Sequence, residues 1–275
     1  MAVNYAEKYS GVIDEKFQTE SYTDIALNDN YEFDGVATIN IYSTSTVPLN
    51  DYDMEANQNR YGTPLELGNE VQTLKLTQDK SFTFAIDRRN YDDTMMANSA
   101  GLALNREIVE VIIPTIDRYR LNTMSENAGL KLQQTITEKN AYSCFLDAST
   151  AMLDKLVPVS RRVAFVTPTF YKFIKLDKNF TSTGDKAQEI ARNGVVGAID
   201  GTMIIPVPTA YFPEGVNFLI AHPSATISPI KLSDYKQHEN PQGINGWLVE
   251  GRVYYDCFVL NNKKNGLLVS SANAG

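Results

Sequence analysis

The chain has 275 residues, of which 43% are hydrophobic, and this supplies a core for one large domain or two smaller ones. The net charge of −8 and the pI of about 4.9 argue against a dedicated nucleic-acid-binding protein. Because there is no basic-then-apolar N-terminus, no apolar run of membrane-spanning length and no metal-type cysteine spacing, we expect a soluble intracellular protein with two free thiols.

The excess negative charge lies at the start of the chain. Residues 1–60 hold 11 acidic and 3 basic residues, which accounts for the whole net charge of −8. The same region is rich in aromatic residues, which disordered segments lack: Tyr5, Tyr9, Phe17, Tyr22, Tyr31, Phe33, Tyr42 and Tyr52. Tyr9, Ile13 and Phe17 share one face of a short amphipathic helix predicted over residues 5–18. This pattern predicts an arm that docks on another surface.

Period-two alternation begins at Val36. The runs 36–42 and 71–77 each predict a strand, and roughly 28 polar residues separate them; a third such run covers residues 81–86. We therefore predict a long hairpin that needs a partner surface, because isolated hairpins are marginally stable. Its apolar candidates for that contact are Ile39, Ile41, Leu74 and Leu76. The alternative is an ordinary sheet with a mobile loop.

A long amphipathic pattern follows, from Asn90 to Gly129. Asp92 and Asp93 favour a helix start, and Asn127 with Gly129 favours a stop. Pro114 lies inside the pattern and removes the amide that would donate to the Glu110 carbonyl, so we predict a bend or a loosening there. Two helices meeting at Pro114 are the alternative.

The second half alternates between helices and strands. Thr137 is the predicted cap of an amphipathic helix, and Thr167-Pro168 predicts the start of a shorter one. Asp200-Gly201 predicts a tight turn between two apolar strands. Further predicted strands cover residues 162–167, 216–221, 247–260 and 267–269. A basic cluster runs through this half, and a neighbour's acidic arm is its most economical ligand: Lys155, Arg161, Arg162, Lys172, Lys175 and Lys178.

No pattern in the chain predicts catalytic, cofactor-binding or metal-binding residues. The glycines of residues 194–201 lack the following Lys-Ser/Thr of a phosphate loop and lead into a strand. Cys144 with His222 would form a thiol–imidazole pair only if a pocket united them. We therefore expect no cofactor and no enzymatic activity.

The order of elements resembles the major capsid proteins of tailed bacteriophages, the Caudoviricetes, with the Hong Kong 97 fold. The resemblance is carried by the arm and hairpin, by residues 81–87 leading through Asp92-Asp93 into the long helix, by residues 193–201, and by residues 251–266. It implies an α+β fold with four parts. These are an N-terminal arm (1–35), an extended E-loop hairpin (36–90), a P domain (91–129 and about 226–275) with the spine helix, and a mixed A domain (130–225).

The resemblance also implies a function. The chain would be a structural protein that self-assembles, through hexamers and pentamers, into the icosahedral head of the virion in the host cytoplasm. Portal, scaffolding or decoration proteins would be further partners, with non-specific contact to packaged double-stranded DNA and no membrane. The candidate contacts between subunits are Tyr9, Ile13, Phe17, Ile39, Ile41, Leu74, Leu76, Lys172 and Lys175.

The sequence is also compatible with three alternative functions. An encapsulin, a bacterial compartment of the same fold, would enclose cargo enzymes instead of DNA. An enzyme using Cys144 or His222 would need a pocket that unites them. A monomeric binding protein would leave the acidic, aromatic arm unexplained.

Overall fold

A computed structural model describes residues 21–31, 38–44, 46–55, 58–88, 104–177 and 197–272. The predicted arm helix over 5–18, the predicted helix start at Asp92-Asp93, and the basic residue Lys178 lie outside these ranges. Within the chain, residues 33–76 separate from the rest as a compact unit of their own, which we call the hairpin unit. We call the remainder the body.

The hairpin unit contains strands β1 (Thr38–Thr44) and β2 (Asn69–Lys75), paired antiparallel with Thr38 opposite Lys75 and Thr44 opposite Asn69. The predicted hairpin is therefore present. It is shorter than predicted, because the third alternating run, β3 (Gln78–Asp87), pairs with a strand of the body. The half-buried Phe82 and Phe84 of β3 pack on a helix of the body, which draws this run away from the hairpin.

The body is built around a six-stranded sheet with the strand order β4-β13-β8-β5-β7-β6. Its strands are β4 (Leu130–Gln133), β5 (Val163–Val166), β6 (Ala198–Ile199), β7 (Thr202–Pro206), β8 (Val216–Ala221) and β13 (Leu267–Ser271). β13 pairs parallel with β4 and antiparallel with β8. The range 226–275, which was assigned to the P domain, is thus not separate from the 130–225 region, because its last strand pairs with two strands of that region. The last strand joins that region's sheet because both of its faces are apolar.

Alternate residues of the central strands enter two different cores. Val163 and Phe165 pack on the side of helix α1 (Ile113–Glu126). Ala164 and Val166 pack on the other side, against α2 (Ala141–Asp154) and α3 (Pro168–Leu176). The sheet is therefore covered on both faces, and its strands read as continuous apolar runs.

The long helix joins this sheet to a second one. Residues 104–107 are α-helical, Ile108–Ile112 form a π-helical segment, and α1 continues to Glu126. The loosening predicted near Pro114 is confirmed as this π-helical segment, which ends two residues before the proline. A widened turn suits proline because it does not require the missing amide. The helix ends one residue before Asn127, as the sequence predicted.

The N-terminal half of this helix packs on a three-stranded antiparallel sheet with the order β10-β11-β3. Its strands are β3, β10 (Ile230–Glu239) and β11 (Gly246–Tyr255). The predicted strand over 247–260 is interrupted at Asp256 and resumes as β12 (Phe258–Val259), which pairs with β9 (Thr226–Ile227). The break frees the Asp256 side chain to accept hydrogen bonds.

Local chemistry explains several element boundaries. Thr167 caps α3 by accepting a hydrogen bond from the Phe170 amide, as predicted. The turn between β6 and β7 is also as predicted, and Asp200 and Gly201 both have positive φ, which this tight turn requires. The cap of α2 is Asn140 instead of the predicted Thr137, since Asn140 lies directly before the first helical residue.

Candidate assembly surfaces

The segment joining β1 to β2 exposes apolar side chains. Met54 is 76% exposed, Tyr61 is 84% exposed and Leu49 is fully exposed. The segment is nevertheless organised by its own contacts. The rings of Tyr52 and Tyr61 pack edge to face at 5.0 Å, and the Asp53 amide donates to the Arg60 carbonyl at 3.1 Å. We call residues 46–68 the hairpin loop; its further exposed apolar residues are Val47, Leu65 and Leu67.

The predicted contact residues of the hairpin occupy a different position. Ile39 lies opposite Leu74 in the strand pair, and Ile41 lies on the same face; both isoleucines are half-buried. Leu74 is only 3% exposed, and Leu76 is equally buried. Leucines that are buried already have no surface left for a partner, so the exposed hairpin loop is the stronger candidate contact.

A second exposed apolar site follows helix α2. Leu156 is 91% exposed and has a positive φ of 59°, a conformation that costs an L-residue about 1–2 kcal/mol. The buried guanidinium of Arg162 holds the loop, donating to the carbonyls of Val157 at 2.7 Å, Pro158 at 2.8 Å and Ser149 at 3.1 Å. The loop is thus fixed in a strained form that presents a leucine to solvent, as functional loops often are.

The predicted basic cluster is smaller on the surface than in the sequence. Arg162 is buried and bound to carbonyls, and its burial lowers the pKa of its guanidinium. Lys155, Arg161 and Lys172 are exposed. Lys175 is half-buried and lies 4.5 Å from the centre of the Tyr171 ring, a cation–π contact. Among the described residues of this cluster, the three exposed cations Lys155, Arg161 and Lys172 therefore remain for the predicted contact with an acidic partner.

A buried polar cluster holds the segment that precedes the hairpin unit. Asp117 on α1 is fully buried, and its carboxylate accepts hydrogen bonds from the hydroxyls of Ser21 and Thr23, each at 2.6 Å, and from the amide of Tyr22 at 3.0 Å. We call Ser21–Asp24 the arm root. Three donors on one buried carboxylate fix this segment to the helix.

Arg120, one helical turn after Asp117, completes the cluster. Its guanidinium donates to Asp24 at 2.5 Å, to the Thr23 hydroxyl at 2.9 Å and to the Ser228 hydroxyl at 2.8 Å. Burial raises the pKa of Asp24, although the Arg120 charge opposes this rise. The Arg120 cation therefore lies between two carboxylates, that of Asp24 and that of Asp117, which is 3.6 Å away.

A second buried cluster, around Asp256, holds the residue that follows the hairpin unit in the chain. Its buried carboxylate accepts hydrogen bonds from the amide of Thr77 at 2.8 Å, the hydroxyl of Thr77 at 2.9 Å and the hydroxyl of Tyr119 at 2.7 Å. Burial, followed by the bond to Asp256, raises the pKa of Tyr119 to about 12. Thr77 is the first body residue after the hairpin unit, and we call it the hairpin root.

The residues weighed for catalysis have structural surroundings. Cys144 and Cys257 are free and buried, and burial raises the pKa of both thiols, that of Cys257 to about 12. His222 Nδ1 accepts a hydrogen bond from the Ser224 amide at 3.3 Å, and no hydrogen bond among the described residues joins it to Cys144. In the described part of the chain, no group of His, Cys, Asp and Glu could hold a metal ion, and no helix is long and apolar enough to cross a membrane.

The described architecture is similar to solved capsid structures. The capsid structure of the cyanophage P-SCSP1u matches with a TM-score of 0.70 and 9% identity, over 87% of this chain and 84% of that chain. The capsid of Ralstonia phage GP4 matches with a TM-score of 0.66 and 12% identity, over 93% and 92%. The chain has the Hong Kong 97 capsid fold.

A virus-like particle from Pyrococcus furiosus shares the fold less closely, with a TM-score of 0.56 and 14% identity over 98% of this chain and 100% of that chain. No protein-family model matches the sequence, and no curated protein matches it. The Hong Kong 97 fold and the α+β class predicted from the sequence are thus confirmed by structure alone.

Several residues of this capsid fold that matter here were missed by sequence reasoning. Asp117 and Arg120 were not among the candidate residues predicted from the sequence, yet both are buried. Their i, i+3 spacing was the available signal, because it places opposite charges on one helical face. Leu49 and Met54 were absorbed into a polar stretch, where isolated apolar residues were the only signal.

Proposed function

We propose that this chain is a major capsid protein whose copies assemble into the icosahedral head of a tailed bacteriophage and enclose its genome. The observation that carries the proposal is the hairpin loop, whose apolar side chains are exposed in the single chain although its backbone is organised. Several large apolar side chains exposed in one short segment favour an interaction site, since large exposed apolar patches mark such sites. The capsid fold supports a second copy of the chain as the partner.

The domains of the fold are assigned on this basis. The hairpin unit, residues 33–76, serves as the E-loop. The long helix with β3, β10 and β11 forms the P domain, supported by their shared apolar core. The six-stranded sheet with α2 and α3 forms the A domain. Residues before 33 form the N-terminal arm.

Opposite charges support contacts between copies. The first 60 residues carry the whole excess of negative charge, and Lys155, Arg161 and Lys172 are exposed on α3 and the Leu156 loop. Patches of opposite sign on one chain favour head-to-tail contacts, which close into rings and shells. Exposed ion pairs add only about 0–1 kcal/mol each, so charge steers the contact while Tyr9, Ile13 and Phe17 of the arm supply apolar burial.

The remaining roles follow from the capsid proposal. Hexamers and pentamers would build the shell in the host cytoplasm, and the virion would be its final location. Portal, scaffolding or decoration proteins and the packaged double-stranded DNA are the further partners we propose. We assign the chain no catalytic reaction and no cofactor.

The proposal is tested by purifying the full chain and examining it by sedimentation and by electron microscopy. Closed shells of uniform diameter are the expected result. A protein that stays monomeric at every concentration and salt level tested would contradict the proposal, because the exposed hairpin loop would then have no copy to cover it.

A protein compartment that encloses cargo is the second candidate, favoured by the match to the Pyrococcus furiosus virus-like particle over 98% of this chain. Its lower TM-score, 0.56 against 0.70 for the cyanophage capsid, places it second. The two candidates differ in content. Shells purified from the cells that produce them naturally would contain double-stranded DNA in the first case and a protein cargo in the second.

A further inference from the structure

We propose that the arm root and the hairpin root are coupled through one hydrogen-bond network whose charged members are buried, so that loosening either root loosens the other. That the arm and the hairpin are assembly segments rests on the proposed function; the coupling itself does not. We call Asp117, Arg120, Ser228 and Asp256 the root network.

The network runs from one root to the other, with one covalent step inside Asp256, between its main-chain carbonyl and its carboxylate. At the arm root, Thr23 donates to Asp117 and accepts from Arg120. Arg120 Nε then donates to the Ser228 hydroxyl at 2.8 Å, and this hydroxyl donates to the main-chain carbonyl of Asp256 at 2.7 Å. The Asp256 carboxylate finally accepts both the amide and the hydroxyl of the hairpin root.

Burial makes the members of this network depend on each other. Asp117, Arg120 and Asp256 are each at most 3% exposed, so water has little access to replace a partner that these three groups lose, whereas Ser228 is half-buried. An unsatisfied buried polar group is costly, and bonds in such chains polarise one another. When one root detaches, the network groups that were bonded to it must therefore find new partners. The other root then loses part of its anchorage.

Ser228 is the connecting residue. Its hydroxyl accepts from the arm side of the network and donates to the hairpin side, while each side keeps its own carboxylate. Removing this hydroxyl should separate the two halves without dismantling either of them. In an assembling subunit, such a link would let the docking of the arm change how firmly the hairpin root is held.

Both roots offer a direct reporter. The Tyr22 amide donates to Asp117 and the Thr77 amide donates to Asp256, so their hydrogen-exchange rates follow the opening of each root. The experiment uses the full chain in its unassembled form, with residue-level exchange measured by mass spectrometry. Thr23→Val perturbs the arm root, and Thr77→Val perturbs the hairpin root. Thr77 is exposed, so its variant leaves the fold intact.

We expect Thr23→Val to speed exchange at Thr77 by about fivefold, and Thr77→Val to speed exchange at Tyr22 comparably, since neighbours within one network couple strongly. In a Ser228→Ala background neither substitution should affect the distant root. Ser125→Ala is the matched control. Ser125 lies on α1, the helix that carries Asp117 and Arg120, and its buried hydroxyl bonds to the Leu121 carbonyl outside the network.

The coupling is overturned if Thr77→Val leaves Tyr22 exchange unchanged, or if a Ser125→Ala background abolishes the effects on the distant root as fully as a Ser228→Ala background does. The second result would mean that the loss of coupling follows from lower global stability and not from the missing Ser228 hydroxyl. These outcomes differ from a failure of the proposed function. A chain that never forms shells can still show coupled roots, and a shell-forming chain with independent roots overturns the coupling alone.

Discussion

Replacing Leu49 by serine should weaken assembly without weakening the folded chain. Leu49 is fully exposed, so serine removes no packing within the subunit. Substitutions at such positions change the free energy of unfolding by only about 0.5 kcal/mol or less. If a second copy covers Leu49 in the shell, the lost burial costs roughly 1.5–3 kcal/mol per contact. That corresponds to a roughly 10- to 150-fold weaker association.

The assay is the protein concentration at which half of the chain sediments as shells, measured together with the thermal unfolding midpoint. Leu74→Ala is the matched control, because Leu74 belongs to the same unit but is only 3% exposed. It should lower the unfolding free energy by about 2–5 kcal/mol. The reasoning fails if Leu49→Ser assembles at the same concentration as the parent chain while its unfolding midpoint is unchanged.

Three further predictions follow from the other surfaces. Leu156→Asn should keep or raise thermal stability, because asparagine tolerates positive φ, and should weaken assembly; weaker stability with unchanged assembly would contradict this. His222 has a pKa lowered from 6.5 by burial and then by the cations Arg161, Arg162 and Lys263. Its folded form favours the neutral ring, so stability should fall as the pH drops below 6.5, and His222→Gln should lose this dependence in denaturant titrations; an unchanged slope refutes it. Lys172→Glu should slow assembly at low salt and much less at high salt, whereas Phe17→Ala should weaken it at every salt; equal salt dependence of the two variants would count against charge steering.

Local signals in the sequence predicted local structure well. The cap at Thr167, the turn at Asp200-Gly201 and the helix end before Asn127 each depend on the conformational preference of one or two residues. Pro114 likewise predicted a disturbed helix, because a missing amide acts wherever the chain folds. These features need no knowledge of distant contacts.

Long-range pairing was harder to predict. Nothing local marks β13 as a neighbour of β4, since the paired residues Leu268 and Leu130 lie 138 positions apart along the chain. Such a contact is decided by which apolar faces fit together in three dimensions, and the sequence carries no local mark of it.

The candidate sites likewise include features that the sequence predicted and features that only the folded chain shows. The acidic N-terminal region and the basic residues around Lys172 could be read from composition. The burial of Arg162 could not, because a guanidinium that binds three carbonyls looks in the sequence like any surface arginine. The root network joins residues from three distant segments, so only the folded chain brings them together.

The most direct test of the central claim is a cryo-electron microscopy reconstruction of the particles formed by the purified full chain. We predict a closed icosahedral shell in which Leu49, Met54 and Tyr61 of one subunit are buried against the next subunit. Particles in which these side chains stay exposed to solvent, or a chain that forms no closed particle, would contradict the account.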